Sequence, residues 1–149
     1  MKIEKYNQEI TSDMMKLLLT ADPNRTSINS YLPESKVLVC RDRDICIGIA
    51  VLSISGDVFE LKNIAIDVDH RRKGKAKLMI AEVMLLAKKM GAVNLEVGTG
   101  NSSFSQLALY QKCGFRMCRI EPGFFESYPE IIYENGIRCI DMVRLRAKL

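Results

Sequence analysis

The fold is decided by the stretch Arg71-Arg72-Lys73-Gly74-Lys75-Ala76-Lys77, in which five of the seven residues are basic. It follows an extended apolar segment, Leu61 to Ile66, and opens a helix predicted over Ala76 to Met90. A glycine-containing loop before a helix exposes backbone N–H groups that have no intrahelical partner and can point at an anion. A basic run alone is typical of a solvated helix start. Its place between a strand and a helix favours a phosphate-bearing ligand instead.

The spacing of residues in this loop limits which class of phosphate-bearing ligand it could bind. It lacks the G-x-G-x-x-G order of a dinucleotide site and the G-K-[ST] ending of a P-loop. Arg71, Gly74 and Ala76 fit Arg/Gln-x-x-Gly-x-Gly/Ala, which resembles the pyrophosphate loop of the GNAT superfamily, the acyl-CoA-dependent N-acetyltransferases. Two flanking segments also resemble this family, Glu60-Leu-Lys-Asn-Ile-Ala-Ile66 and Leu109-Tyr-Gln-Lys-Cys-Gly-Phe115. The resemblance covers about residues 58–116.

Composition predicts an ordinary globular chain. At 149 residues it is expected to form one domain, residues 1–149. The apolar fraction is 48%, the charged fraction is 27% and the net charge is +4, with much of the excess around Gly74. That distribution indicates a local anion site more than a surface that coats nucleic acid. No apolar run is long enough to span a membrane, and the N-terminus lacks a signal-peptide core, so we predict a cytoplasmic protein.

The cysteines and the histidine predict no metal site. The five cysteines form an odd set without a C-x-x-C pair, and His70 is the single histidine. They offer no recognisable zinc spacing, so the cysteines are interpreted as reduced, small apolar residues. We therefore expect no metal cofactor.

Periodicity predicts an alternation of helices and strands. The predicted helices cover Ile10–Leu19, Arg25–Leu32, Ala76–Met90 and Ser103–Lys112. The predicted strands cover Lys36–Arg41, Ile45–Ser53, Val58–Ile66, Val93–Val97, Phe115–Ile120 and Ile137–Leu145, with Gly98–Asn101 as a turn. The strands up to Ile66 should be antiparallel, and the strand after the long helix should run parallel to Val58–Ile66. With the family resemblance, this indicates an α/β (α+β) fold, a mixed, mostly antiparallel seven-stranded sheet flanked by about four helices.

The strand Val58–Ile66 contains an irregularity. Phe59 and Leu61 place one face apolar, whereas Ile64 and Ile66 have the opposite parity. Since side chains alternate with a period of two, a β-bulge near Lys62-Asn63 would bring all four to one face. A strand buried on both faces is the alternative. In the family that the chain resembles, the pantetheine arm of the cofactor pairs with this strand where it splays from its neighbour.

The resemblance implies which residues bind acetyl-CoA. The pyrophosphate would be held by the loop and the helix dipole. The backbone near Ile64, Ala65 and Ile66 would pair with the cofactor and donate to the oxyanion. The loop residues assigned to this role are Arg71, Arg72, Lys73, Gly74, Lys75 and Ala76.

Two side chains are candidates for proton transfer. Glu60 matches the position where some relatives carry a glutamate that accepts the amine proton, directly or through water; the alternative is a glutamate that faces solvent beside Lys62. Tyr110 matches the tyrosine of the family's Leu-Tyr-x-Lys-x-Gly-Phe segment. Its hydroxyl, with an ordinary pKa of about 10, could protonate the departing thiolate. The alternative for Tyr110 is simple packing on a helix.

The chain departs from the family pattern before this tyrosine. Many relatives have Asn seven residues ahead of it, where this chain has Ser103, and Asn101 lies two residues earlier. Either Asn101 or Ser103 is a candidate for contact with the cofactor, and the sequence does not choose between them.

The segment Glu121 to Glu134 is interpreted as the wall of the acceptor site. It combines aromatic residues with four glutamates in an otherwise basic chain, which would favour a cationic amine. An ordinary solvated loop is the alternative, although more than about 12 residues is long for a simple connection. The residues assigned to acceptor binding are Phe125, Glu126, Tyr128 and Glu130.

The function predicted is transfer of an acetyl group from acetyl-CoA to a primary amine by direct attack in a ternary complex. The acceptor could be a small molecule or a protein amine, and the protein a monomer or a homodimer; neither nucleic acid nor a membrane is expected as a partner. The first alternative is a non-catalytic acyl-CoA sensor on the same fold. The second is a nucleic-acid-binding protein, for which a helix-turn-helix or aromatic-interleaved basic strand is missing.

Overall fold

A computed structural model describes residues 1–149 and contains four α-helices and nine β-strands. The helices are α1 (Ser12–Ala21), α2 (Arg25–Tyr31), α3 (Lys75–Lys89) and α4 (Phe104–Lys112). The strands are β1 (Lys2–Tyr6), β2 (Lys36–Asp42), β3 (Ile45–Ser55), β4 (Val58–Ile66), β5 (Asn94–Gly100), β6 (Arg116–Glu121), β7 (Tyr133–Glu134), β8 (Ile137–Arg138) and β9 (Met142–Lys148).

Seven strands form one sheet in the order β1-β2-β3-β4-β5-β9-β6. All neighbouring strands are antiparallel except β4 and β5, which are parallel and are connected in the chain through α3. This confirms the predicted fold class. Two details differ from the sequence-based prediction: β1 was not predicted, and the strand predicted over 137–145 is divided. Residues 137–138 pair with 133–134 in a separate hairpin, and the sheet strand begins at Met142.

Both faces of the sheet are covered by helices. Successive residues of β2 alternate between two apolar clusters: Leu38 packs with the side chains of α3, whereas Val37 and Val39 pack with those of α1 and α2. On α3, the spacing of Met79, Ile80 and Val83 places one apolar stripe against the sheet. The period of two in the strands and of 3.6 in the helix therefore produce the layered core.

The predicted β-bulge lies at Lys62. Val51 of β3 faces Asn63, whereas the next residue, Leu52, faces Leu61, so Lys62 is the extra residue. As a result Phe59, Leu61, Ile64 and Ile66 all belong to the cluster under α3. The change of parity in the sequence is thus explained by one inserted residue, and the alternative of burial on both faces holds only from Asn63 to Ile66.

The turn predicted at Gly98–Asn101 is wrong, because residues 98–100 continue β5 and pair with β9. Both glycines lie where the sheet has no room for a Cβ. A Cβ on Gly98 would meet the side chains of Met142 and Arg144, and one on Gly100 would meet Cys139. These glycines therefore report close packing inside a strand, not a turn.

None of the helices is long and apolar enough to cross a membrane.

Candidate functional site

The site forms where β4 and β5 separate. The two strands pair only at Glu60 with Glu96 and at Leu61 with Val97, immediately before the bulge. Beyond that point, β4 still pairs with β3 on its other edge. From Asn63 onward, the N–H and C=O groups of β4 that face β5 therefore have no partner in the neighbouring strand. Buried backbone groups normally have a hydrogen-bond partner, so these groups are available to a ligand.

Two cavities occupy this region and share part of their walls. We call the first, of about 380 Å³, the strand-gap cavity, and the second, of about 480 Å³, the loop cavity. The strand-gap cavity is lined by β4 and β5 around the gap, the end of α1, and the segment 125–142. The loop cavity is lined by the end of β4, the Arg71–Lys77 loop and one side of α4. Both cavities share Thr20, Ala21, Ile64, Gln106 and Glu134, which mark their junction.

The loop cavity has the properties of an anion site. Gly74 is the N-cap of α3 with φ of +77°, offers no side-chain cap, and has no atom within 4 Å of the place where a Cβ would lie. The first-turn amides of α3 therefore face open space at the positive end of the helix dipole. None of the five basic side chains between 71 and 77 belongs to an ion pair.

Most of the residues predicted to bind the cofactor line this cavity. They are Ile64, Ala65, Ile66, Arg71, Arg72, Gly74, Lys75 and Ala76, whereas Lys73 is outside the lining. Arg71 also fixes the loop to the strand, since its Nε donates to the carbonyl oxygen of Ile66 at 2.8 Å.

Tyr110 lies on α4 and lines the strand-gap cavity. Its ring packs edge-on against Phe115, with 5.8 Å between the ring centroids, and the residue is buried. Burial, with a smaller contribution from Cys113, raises the pKa of Tyr110 above its ordinary value. The hydroxyl is therefore protonated at neutral pH and is available to donate a hydrogen bond.

Glu60 lies behind the wall of the site and lines neither cavity. Its Oε2 accepts a hydrogen bond from Nη1 of Arg144 at 2.8 Å and lies 3.6 Å from Nζ of Lys62. It does not simply face solvent, because its side chain is only 15% exposed. The structure thus places Glu60 in a partly buried ion pair, and its predicted role as a base stays a prediction.

Neither Asn101 nor Ser103 lines the loop cavity, where most of the residues predicted to bind the cofactor lie. Asn101 lines neither cavity; its Nδ2 donates to the carbonyl oxygen of Arg138, and its Oδ1 accepts from the amides of Ile140 and Asp141. Ser103 lines only the strand-gap cavity, where its hydroxyl donates to Oε1 of Glu134 at 2.7 Å. This geometry argues against the cofactor contact predicted for Asn101.

The predicted acceptor wall is divided by the structure. Phe125 and Tyr128 line the strand-gap cavity, whereas Glu126 and Glu130 are exposed and outside its lining. The segment is fixed to the sheet end because the amide of Phe125 donates to the carbonyl oxygen of Ile140. The structure therefore brings the two aromatic residues, but not the two glutamates, to the wall of the cavity, and the predicted role of all four in acceptor binding stays a prediction.

Sequence reasoning missed one carboxylate of the site, Asp22, and counted a second, Glu134, only among the four glutamates of the acceptor segment. Asp22 follows α1, where the sequence marks it only as part of a helix end, and Glu134 closes the acceptor segment without a motif of its own. Tyr128 donates to Oδ1 of Asp22 at 3.1 Å, and Tyr31 donates to Oδ2 at 3.4 Å. No local pattern could have found Asp22, because Tyr128 is 106 residues away along the chain.

Burial raises the pKa of Tyr128, and the charge of Asp22 raises it further. Burial also raises the pKa of Tyr31, with Asp22 acting in the same direction against the opposing effect of Asn63. Both phenols are thus protonated and donate to the carboxylate. No group of three or more His, Cys, Asp or Glu side chains is placed to bind a metal ion.

Comparison with known proteins gives a consistent result. A family described as acetyltransferase (GNAT) domain matches residues 33–117. The N-acetyltransferase YvbK of Bacillus subtilis (strain 168) is 41% identical over 143 residues, covering 95% of this chain and 92% of that protein.

Solved structures with the same fold share a similar level of identity. An acetyltransferase of the GNAT family from Elizabethkingia anophelis, with acetyl-CoA bound, is 38% identical with a TM-score of 0.94, covering 99% of this chain and 97% of its own. A Bacillus subtilis acetyltransferase in complex with CoA is 41% identical with a TM-score of 0.93, covering 99% and 98%.

Proposed function

This chain belongs to the GNAT superfamily of acetyltransferases, and we propose that it moves the acetyl group of acetyl-CoA to a primary amine by direct attack in a ternary complex. The observation that carries the proposal is the meeting of the two cavities at the point where β4 separates from β5. One cavity has the chemistry of a phosphate site and the other has a wall of aromatic and acidic groups. A donor and an acceptor can therefore be bound together, with their reacting groups at the junction.

The loop cavity fits coenzyme A. The loop supplies amides at the start of α3 and five basic side chains without acidic partners, which suits a pyrophosphate. The free edge of β4 beyond Asn63 offers unpaired backbone groups to an amide-bearing arm. Acetyl-CoA supplies the activated thioester, and the protein supplies its position.

We propose that a carboxylate at the junction, that of Glu134, accepts the proton that the amine must lose. Glu134 lines both cavities and is oriented by the hydroxyl of Ser103. It is better placed than Glu60 to accept that proton, directly or through water. The free backbone amides of the Ile64–Ile66 segment are placed to donate to the oxygen that becomes negative, an effect worth roughly 2.7–4 kcal/mol per donor in other enzymes.

Tyr110 is proposed to donate a hydrogen bond to the departing sulfur. Its burial supports a donor that keeps its own proton in the ground state, since the raised pKa disfavours the phenolate. A hydrogen bond to a developing thiolate is stronger in such a low-dielectric position than in water. The hydroxyl has no hydrogen-bond partner in the protein that would compete for this role.

Free coenzyme A released from acetyl-CoA in the presence of a panel of primary amines tests the proposed function. We expect turnover with at least one amine, and equimolar acetylated product by mass spectrometry. Tight acetyl-CoA binding without turnover on any amine would favour the sensor instead. DNA binding that acetyl-CoA does not compete away would favour the nucleic-acid alternative. One domain over 1–149, a cytoplasmic location and a monomer or homodimer stay predictions.

A further inference from the structure

We propose that the acceptor of this acetyltransferase carries two ammonium groups, with the reacting amine beside Glu134 and the second cation held by Asp22. This inference rests on the proposed function, and it names the acceptor class that the sequence leaves open. It is drawn from the charges, hydrogen bonds and unpartnered groups of the strand-gap cavity.

The two carboxylates stand at different places in the site. Glu134 lines both cavities and thus lies at the junction, where the reacting amine must be. Asp22 lines only the strand-gap cavity. The cavity that an acceptor would occupy is therefore lined by two acidic groups, only one of which reaches the junction, as a molecule with a cation at each end requires.

No protein cation neutralises either carboxylate. Neither Asp22 nor Glu134 belongs to an ion pair. Lys62 is the only basic residue that lines the strand-gap cavity, and its Nζ lies 3.6 Å from Glu60 and over the ring of Tyr31. The cavity is thus acidic, although the chain as a whole is basic.

Asp22 is oriented by neutral donors. Its carboxylate accepts from the hydroxyls of Tyr128 and Tyr31, and from the backbone amide of Asn24 at 3.2 Å. These bonds fix the carboxylate and leave its charge in place. A carboxylate held without a counter-ion in a binding cavity is preorganised for a cationic ligand.

Asn63 provides a second observation that favours a cation in this cavity. It is 4% exposed and lines the same cavity. Its Nδ2 donates to the carbonyl oxygen of Leu18 and to the hydroxyl of Tyr31, which fixes the amide orientation, and its Oδ1 has no partner. Buried oxygen acceptors normally have donors, and the unpartnered Oδ1 leaves its partial negative charge uncompensated in the wall that Asp22 also lines, which favours a cation there.

A matched set of acceptors tests the proposal: hexamethylenediamine, hexylamine and aminohexanoate. Each offers a primary amine and carries a cation, no charge or an anion at the far end; because either end of the diamine can react, only a preference greater than twofold counts. We expect kcat/KM to fall in that order. Asp22→Asn should lower the ratio of diamine to hexylamine kcat/KM by about 10- to 100-fold, the value of a hydrogen bond to a charged group. Asp57→Asn removes an exposed charge in the β3–β4 turn and should leave this ratio unchanged.

The outcomes separate the inference from the function. Turnover of hexylamine without a preference for the diamine overturns the dication and leaves the acetyltransferase intact, whereas no turnover on any amine overturns both. A preference for aminohexanoate also overturns the inference. Should Asp22→Asn fail to fold, Tyr128→Phe keeps the charge of Asp22 and removes one orienting bond. It should reduce the diamine preference by a smaller factor, and an unchanged preference would count against the role of Asp22.

Discussion

Arg144 donates from Nη1 to the carboxylate of Glu60 at 2.8 Å, and from Nη2 to Glu121 at 3.0 Å. The side chain of Arg144 is only 8% exposed, so these two carboxylates compensate a largely buried guanidinium. Glu60, predicted from the sequence as a base, is therefore one partner of a partly buried cation. The pair also ties β4 to β9, which are not neighbours in the sheet.

We expect Glu60→Gln to lower stability more than catalysis. Loss of one charged hydrogen bond to Arg144 should reduce the free energy of unfolding by about 1–3 kcal/mol. The loss is limited because Glu121 still forms an ion pair with Arg144. Urea denaturation and kcat on the same sample separate the two effects. A base would instead lose about 10²–10⁴-fold in kcat with stability retained, and that result would establish the catalytic role of Glu60.

Gly74→Asp should abolish tight binding of acetyl-CoA. The substitution places a negative charge in the open space in front of the α3 amides, at a φ of +77° that disfavours side chains. We expect the Kd to rise by about tenfold or more in calorimetry, a change of about 1.4 kcal/mol per tenfold. Gly56→Asp is the matched control, since Gly56 also has a positive φ and open space but lies in the β3–β4 turn. Equal losses of affinity in both variants would contradict a phosphate site at Gly74.

Tyr110→Phe should lower kcat by about tenfold to a hundredfold, which is at or below the lower limit of the range of about 10²–10⁴-fold for proton-transferring groups. The raised pKa of Tyr110 makes complete proton transfer costly, which is why we expect a smaller effect than for a strong acid. Single-turnover rates are the proper measurement, because product release could hide the chemical step. Retention of the full single-turnover rate would remove Tyr110 from the mechanism. The Kd for acetyl-CoA should change little.

The sequence predicted the features that depend on neighbouring residues. The bulge at Lys62 could be found because parity in a strand is a local property, and the phosphate loop because strand, glycine and helix are contiguous. The long helix and six of the seven sheet strands were found for the same reason. Gly98 and Gly100 were wrongly assigned to a turn. Glycine is needed there because the side chains of Met142 and Cys139, far along the chain, leave no room for a Cβ.

The charged groups of the site could not be found in this way. Asp22 follows a helix as many aspartates do, and only the fold places the hydroxyl of Tyr128 beside it. Glu126 and Glu130 have the same composition signal as Glu134, yet only Glu134 reaches the cavity. The composition of a segment predicts the sign of its charge. Which of its carboxylates lines the cavity depends on the path of the backbone, which composition does not predict.

Asn101 allows a direct comparison between the role that its hydrogen bonds indicate in the structure and the cofactor contact that the sequence suggested. Its side chain makes three hydrogen bonds, at 3.1, 2.8 and 3.0 Å, to the backbone of residues 138–141, next to Cys139 and Met142 in the wall of the strand-gap cavity. Asn101→Ala removes all three partners from that backbone. We expect the free energy of unfolding to fall by about 1–3 kcal/mol, since two part-buried hydrogen bonds and one exposed hydrogen bond are lost, at about 1 kcal/mol or less each.

The same variant should leave the Kd for acetyl-CoA unchanged, because Asn101 lines neither cavity. The KM of the amine should rise, since the loosened segment carries part of the acceptor wall. Chemical denaturation, calorimetry with acetyl-CoA and steady-state kinetics on one preparation measure the three quantities. Asn94→Ala, in the exposed first position of β5, is the control and should change none of them. A weaker affinity for acetyl-CoA with unchanged stability would instead favour Asn101 as the residue that contacts the cofactor.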